Sequence, residues 1–255
     1  MTWNESTALS TDETTTAGPL ALLAVFAHPD DETFRCGGTL ALLARRGVRV
    51  HLLTATRGEV GSCGNPPLCH PEELPAVRER ELHCACAALG VEPPRILDYR
   101  DGRLDEANPE GLIAEILGVV QKVHPQVMLT FGADGLSGHP DHVAIAQCAA
   151  EAFRRAGKAT ALYTVTVPRG VTERLGMERI RPVPDEAITL AVDVTPAWEQ
   201  KMAAIRCHAT QLGASPMMQL SAEQQRRFFG TEHFVRATVR QPEHDILSAV
   251  LRDGL

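Results

Sequence analysis

Apolar residues along this chain fall into blocks of two kinds. Short apolar runs at 20–26, 48–54, 127–131 and 161–167, with a briefer one at 95–97, have the length of buried strands. Between them apolar positions recur at helical spacing over 32–46 (Phe34, Leu40, Leu42, Leu43), 74–89, 112–123 and 140–155. Gly47 and Gly90 follow two of these segments as helix stops. Residues 57–71 and 132–138 are loops by their glycine and proline content. Alternation of this kind predicts an α/β fold: a Rossmann-like, mostly parallel sheet with helices on both faces. After Pro168 the pattern weakens into an elaborated C-terminal part, with a strand over 187–194, a helix over 197–208 and a last strand over 235–239. No repeat or linker divides 20–255, which reads as one domain. Residues 1–19 carry many Ser and Thr and few apolar side chains, and read as a disordered lead-in.

That topology predicts a location for chemistry. In open parallel sheets, ligands bind beyond the carboxyl ends of the strands, where the strand order reverses. With the order third, second, first, fourth, fifth, the first and fourth strands meet at that point. His28-Pro29-Asp30-Asp31-Glu32 follows the first strand, Thr56-Arg57-Gly58-Glu59 the second, and His139-Pro140-Asp141-His142 the fourth. Imidazole nitrogen and carboxylate oxygen are common ligands of zinc, and a catalytic zinc usually has three protein ligands and one open position. A histidine and an aspartate from the first cluster and a histidine from the last would fill that set. The spare aspartate would be free to act as a base. Either cluster alone could be no more than a capped turn. Both at strand ends of one sheet make coincidence a poor explanation.

Composition narrows the partners. The chain has 255 residues, 44% hydrophobic and 22% charged, with a formal net charge of −7. That balance gives no reason to expect nucleic acid or an anionic membrane. No apolar run reaches the length of a membrane span, and no secretory signal opens the chain, so a cytoplasmic location is expected. Seven cysteines without a regular framework favour reduced thiols. Cys63, Cys69 and His70 share a loop, with Cys84 and Cys86 beyond it, at spacings that match no structural zinc pattern. Gly37-Gly38 is no dinucleotide fingerprint. The oligomeric state, a homo-oligomer included, is left open.

The motifs also carry a resemblance. Ala27-His28-Pro29-Asp30-Asp31-Glu32, Thr56-Arg57-Gly58-Glu59 and His139-Pro140-Asp141-His142 resemble the LmbE-like, or PIG-L, family of zinc-dependent N-acetylglucosaminyl deacetylases. Residues 78–90 resemble its R-x-x-E helix ending in Leu-Gly, and residues 97–102 its exit from the third strand. Lys201, Ala204, His208, Thr210 and Gln211 resemble its K-x-x-A-x-x-x-H-x-[ST]-Q segment. The likeness spans residues 20–240.

Carried over residue by residue, it implies His28, Asp31 and His142 as zinc ligands, with Fe2+ or Co2+ able to substitute. It implies Asp30 as general base. His139 would polarise the carbonyl or protonate the leaving amine, held protonated and oriented by Asp141, and Arg57 would lie near the substrate. Glu32 would support the helix start, and His208 would border the site or be a plain helix histidine. The implied substrate is an acetylated amino sugar or its conjugate, lined by the loops 57–71 and 168–185. The alternatives are an amidase cleaving a larger thiol conjugate at the same metal, and a sugar-binding relative without catalysis. Intact ligand and base positions argue against the latter.

Overall fold

The structure is a computed structural model and describes residues 20–157, 159, 161–213, 216–240 and 247; the lead-in at 1–19 lies outside them. The first part runs β1 (Ala21–Phe26), α1 (Asp31–Phe34), α2 (Gly37–Arg45), β2 (Arg49–Thr56), α3 (Leu74–Leu89), β3 (Arg95–Tyr99) and α4 (Pro109–Val123). It continues with β4 (Val127–Phe131), α5 (Gly135–Gly138), α6 (Pro140–Ala156) and β5 (Ala161–Thr166). The C-terminal part adds α7 (Arg169–Leu175), β6 (Leu190–Asp193), α8 (Trp198–Cys207), α9 (Ala209–Leu212), α10 (Ala222–Phe229) and β7 (Thr231–Val239). The sheet order is β3-β2-β1-β4-β5-β7-β6. The pairs from β3 through β5 are parallel, and β7 runs antiparallel to both β5 and β6.

The expected order across the first five strands is thus observed, and β1 and β4 are neighbours. Both are buried along their whole length, as continuous apolar runs in a sheet covered on both faces should be. Among the described residues, no helix is long and apolar enough to cross a membrane.

The helix expected over 32–46 is two helices. Gly38 packs so close to Val194 that a Cβ there would overlap its side chain. The backbone breaks at Cys36, and α2 starts afresh with the N–H groups of Gly38 and Thr39 donating to the Glu232 carboxylate at 2.9 and 2.7 Å. A carboxylate is well placed at a helix N-terminus, where N–H groups lack partners. Glu232 is also paired with the fully buried Lys201 at 2.7 Å. Elements α5, inside the expected loop 132–138, α7 and α10 were not foreseen, and β7 begins four residues before the expected 235.

The reduced-thiol expectation fails at one pair. Cys84 on α3 and Cys207 at the end of α8 form a disulfide across 123 residues of chain, while Cys36, Cys63, Cys69, Cys86 and Cys148 are free. Contacts so distant in sequence leave no mark in cysteine spacing. Thiol titration under denaturing conditions is expected to give five thiols before reduction and seven after; seven before reduction would show the bond absent.

Candidate active site

The carboxyl ends of β1 and β4 open into a cleft of about 270 Å³ lined by His28, Asp30, Asp31, Arg78, Asp101, His139, His142 and Gln211, together with Val60, Gly61 and Gly102. His28 leaves β1 with its ring in the cleft. Its Nδ1 lies 3.1 Å from His142 Nε2 and 3.6 Å from Asp31 Oδ2, and Asp31 Oδ1 lies 3.3 Å from His142 Nε2. Asp31 is fixed by the His28 N–H, which donates to Oδ2 at 2.8 Å. His142 stands on the first turn of α6, and its ring stacks on Phe131 at 4.1 Å between centroids.

The far side of each imidazole sets its tautomer. His28 Nε2 lies 3.0 Å from Asp101 Oδ1 and 3.1 Å from Asp141 Oδ2, so this nitrogen carries the proton and donates. His142 Nδ1 lies 3.1 Å from the Gly135 carbonyl and donates there. With both rings neutral, the two nitrogens facing each other are lone pairs, beside a carboxylate. Such an arrangement is repulsive unless a cation sits among them. Donors about 2.0–2.1 Å from a tetrahedral ion lie about 3.4 Å apart; His142 Nε2 lies 3.1 Å from His28 Nδ1 and 3.3 Å from Asp31 Oδ1, and the other Asp31 oxygen lies 3.6 Å from His28 Nδ1. The donor set fits a divalent metal. Protons answer to the same charge balance as a cation would. Burial alone would lower the His28 imidazole, but Asp101 and Asp141 outweigh it and raise it to about 10. Burial opposes ionisation of Asp31, yet His142 and His28 hold it well below the usual carboxylate range.

Asp30 faces the cleft from a backbone at φ 107° and ψ −25°, a left-handed conformation that costs a non-glycine residue roughly 1–2 kcal/mol. Its Oδ2 lies 3.2 Å from Arg78 Nη2. Burial lifts its carboxyl to about 6, against the pull of Arg78. Arg78, buried on α3, also donates to the carbonyls of Gly58 (2.8 Å) and Pro29. Gly58 sits at φ +68°, and a Cβ there would overlap that guanidinium.

The structure corrects the role expected of Asp141. Its carboxylate turns away from His139 and is held by the N–H groups of Gly102 (2.8 Å) and Leu104 (3.0 Å), with His28 as its side-chain partner. What reaches His139 is the Asp141 backbone N–H, which donates to Nδ1 at 3.2 Å. Burial and the neighbouring His28 and His142 lower the His139 imidazole. His139 is thus a neutral ring with its Nε2–H free to donate, not the protonated one expected.

Arg57 is likewise out of place for substrate: it points away from the cleft, half-exposed, to Asp98 (2.8 Å) and Glu79. The arginine of the cleft is Arg78. Arg57→Ala is expected to leave kcat/KM within about threefold, since exposed ion pairs contribute little, whereas Arg78→Ala should cost on the order of a hundredfold by freeing Asp30. Kinetics of the two variants side by side check this.

Sequence reasoning gave no site role to Asp101 or Gln211, and read Glu32 as support for the helix start and its neighbours. Asp101 was discoverable, because it follows β3 at the same sheet edge. Glu32 is fully buried, accepting from Asp30 N–H at 3.0 Å and from His208 Nε2 at 2.7 Å. Gln211 bonds the main chain of Ser62 in both directions, tying the loop above the cleft to α9.

Residues 23–153 match the family model described as PIG-L: GlcNAc-PI de-N-acetylase. The chain is similar to the 1D-myo-inositol 2-acetamido-2-deoxy-alpha-D-glucopyranoside deacetylase of Acidothermus cellulolyticus, 34% identical, covering 84% of this chain and 88% of that one. Among solved structures it resembles the N,N'-diacetylchitobiose deacetylase of Pyrococcus horikoshii, with a TM-score of 0.62, 23% identity, and 84% and 82% of the two chains covered. It equally resembles GalB, the 4-carboxy-2-hydroxymuconate hydratase of Pseudomonas putida KT2440, with a TM-score of 0.64, 21% identity, and 87% and 98% covered. At that identity the likeness speaks for the fold, which evidently hosts more than one reaction.

Proposed function

The chain belongs to the PIG-L (GlcNAc-PI de-N-acetylase) family, and from that premise we propose that it hydrolyses the acetamide of an N-acetylglucosamine-type sugar, using a divalent metal held by His28, Asp31 and His142. The observation that carries this reading is the convergence of two imidazole lone pairs and one carboxylate, each fixed from behind by a hydrogen bond. Zinc suits a set of two imidazoles and one carboxylate, and iron(II) uses the same set. When bound, such an ion supplies Lewis acidity toward the acetamide carbonyl and the attacking water.

The rest is done by the chain's own residues. Asp30 takes the proton of the attacking water; a carboxyl poised near 6 is still ionised at neutral pH and is a stronger base than an ordinary one. Arg78 holds the carboxylate facing the cleft. His139 offers its Nε2–H to the oxygen on which charge develops, and the Asp141 N–H on Nδ1 keeps that tautomer. Asp101 and Asp141 keep His28 oriented and make its cleft-facing nitrogen a better donor to metal. The proton on Asp30 then goes to the departing amine.

The cleft is open and lined by charged and amide groups, which suits a hydroxyl-rich sugar better than an acyl chain. The similar relative named for an inositol glycoside favours that conjugate. The test is acetate release from a panel: N-acetylglucosaminyl-inositol, N,N'-diacetylchitobiose, free N-acetylglucosamine and a larger thiol–sugar conjugate. Release of acetate with one equivalent of free amine, fastest from the inositol glycoside, is expected. Amine formed only from the thiol conjugate, without acetate, would mean an amidase instead.

A further inference from the structure

The proposed base sits on a backbone that has to be held. Asp30 is one of three non-glycine residues with positive φ among those described. That conformation turns adjacent carboxylates apart, Asp30 toward Arg78 and Asp31 toward the imidazoles. The Asp30 carbonyl is held locally, by the N–H (3.0 Å) and Oγ1 (2.8 Å) of Thr33. Its N–H is held by Glu32 Oε2 at 3.0 Å, and Glu32 Oε1 in turn accepts from His208 Nε2 at 2.7 Å, both side chains fully buried.

His208 arrives from 176 residues further along the chain. Its Nδ1 has no hydrogen-bond partner among the described residues, so the Glu32 bond is what orients the ring. The segment that bears it is braced on both sides by α3: Cys207 through its disulfide to Cys84, and Thr210 through two bonds to Glu81, at 2.8 and 2.6 Å. Arg78, Glu81 and Cys84 recur every three residues on α3, so one helix face holds the Asp30 carboxylate and the strap carrying His208. A buried Glu–His pair serving only stability would have no reason to end on the N–H of the cleft residue held in the left-handed conformation.

We propose that Glu32 and His208 are positioning residues that lock the Asp30 backbone in its left-handed conformation, and so aim its carboxylate at the attacking water. This rests on Asp30 being the base. The test measures kcat, KM, bound metal and Tm for Glu32→Leu, Glu32→Gln, His208→Leu and His208→Gln, and repeats Glu32→Leu in an Asp30→Asn background. Glutamine at 32 keeps an acceptor for the Asp30 N–H, and glutamine at 208 keeps a donor for Glu32.

Both leucine variants are expected to lower kcat by about 30- to 100-fold, with KM and metal content unchanged, and both glutamine variants to restore most of it. In the Asp30→Asn background, Glu32→Leu should cost less than about threefold more, because its effect passes through Asp30. An equal loss in both backgrounds, a loss lying in KM, or no rescue by glutamine would overturn the proposal. Should Glu32→Leu fail to fold, the His208 pair decides by the same criteria. Wild-type kcat in Asp30→Asn alone would overturn the base assignment and the proposal with it, whereas a low rate there with wild-type kcat in Glu32→Leu overturns the proposal only.

Discussion

Asp30→Asn is expected to lower kcat by about 10²- to 10⁴-fold, the range a positioned general base contributes, while KM and bound metal stay near wild type. Asparagine keeps the volume and can stay beside Arg78, but it cannot take a proton. It is also, after glycine, among the residues that best tolerate left-handed backbone, so the φ of 107° should survive. Steady-state kinetics with metal analysis on the same samples checks this. A drop in metal content would point to disturbance of the neighbouring Asp31 rather than to loss of the base, and full activity would remove Asp30 from the reaction.

The second large effect lies far from the reaction. Glu232→Ala is expected to destabilise the fold by about 3–5 kcal/mol, the usual cost of leaving one partner of a buried pair alone. Lys201 is fully buried, and its hydrogen-bond partners among the described residues are Glu232 and the Phe229 carbonyl, each at 2.7 Å. Burial already pulls its ammonium below the usual lysine range, with Glu232 opposing that shift. Removing Glu232 also strips the N–H groups at the start of α2 of their acceptor. For a chain of this size the loss is on the order of 10 °C in Tm. Thermal denaturation of Glu232→Ala and Glu232→Gln measures it, and an unchanged Tm for Glu232→Ala would contradict the pairing.

These two residues also mark how far the sequence could be read. The parallel strands were legible because period and burial agree: β1 and β4 are buried, almost wholly apolar runs, and their adjacency followed once the strand order was taken as third, second, first, fourth, fifth. His28, Asp31 and His142 come together for that reason alone. What stayed hidden depended on contacts across the chain. The break between α1 and α2 exists because Val194 and Glu232, well over a hundred residues away, press on Gly38 and accept its N–H. The Asp141 carboxylate turns to His28 because the main chain after β3 offers two N–H groups there, which no local pattern records. Arg57 and Arg78 are both plausible cleft arginines by sequence. What separates them is tertiary: Arg78 packs under Gly58 and reaches Asp30, while Arg57 pairs with Asp98 and Glu79. Helix α10 carries charged and amide residues over most of its length, so its few buried positions left a weak signal.

Metal dependence tests the whole account most directly. Chelator-stripped protein is titrated with Zn2+ while acetate release from N-acetylglucosaminyl-inositol is followed, with His142→Ala in parallel. The expected result is a rate that rises from near zero to a plateau at one ion per chain, and a variant that neither holds the ion nor gains activity. A stripped chain that works at full rate, or a His142→Ala chain that keeps both ion and rate, would contradict it.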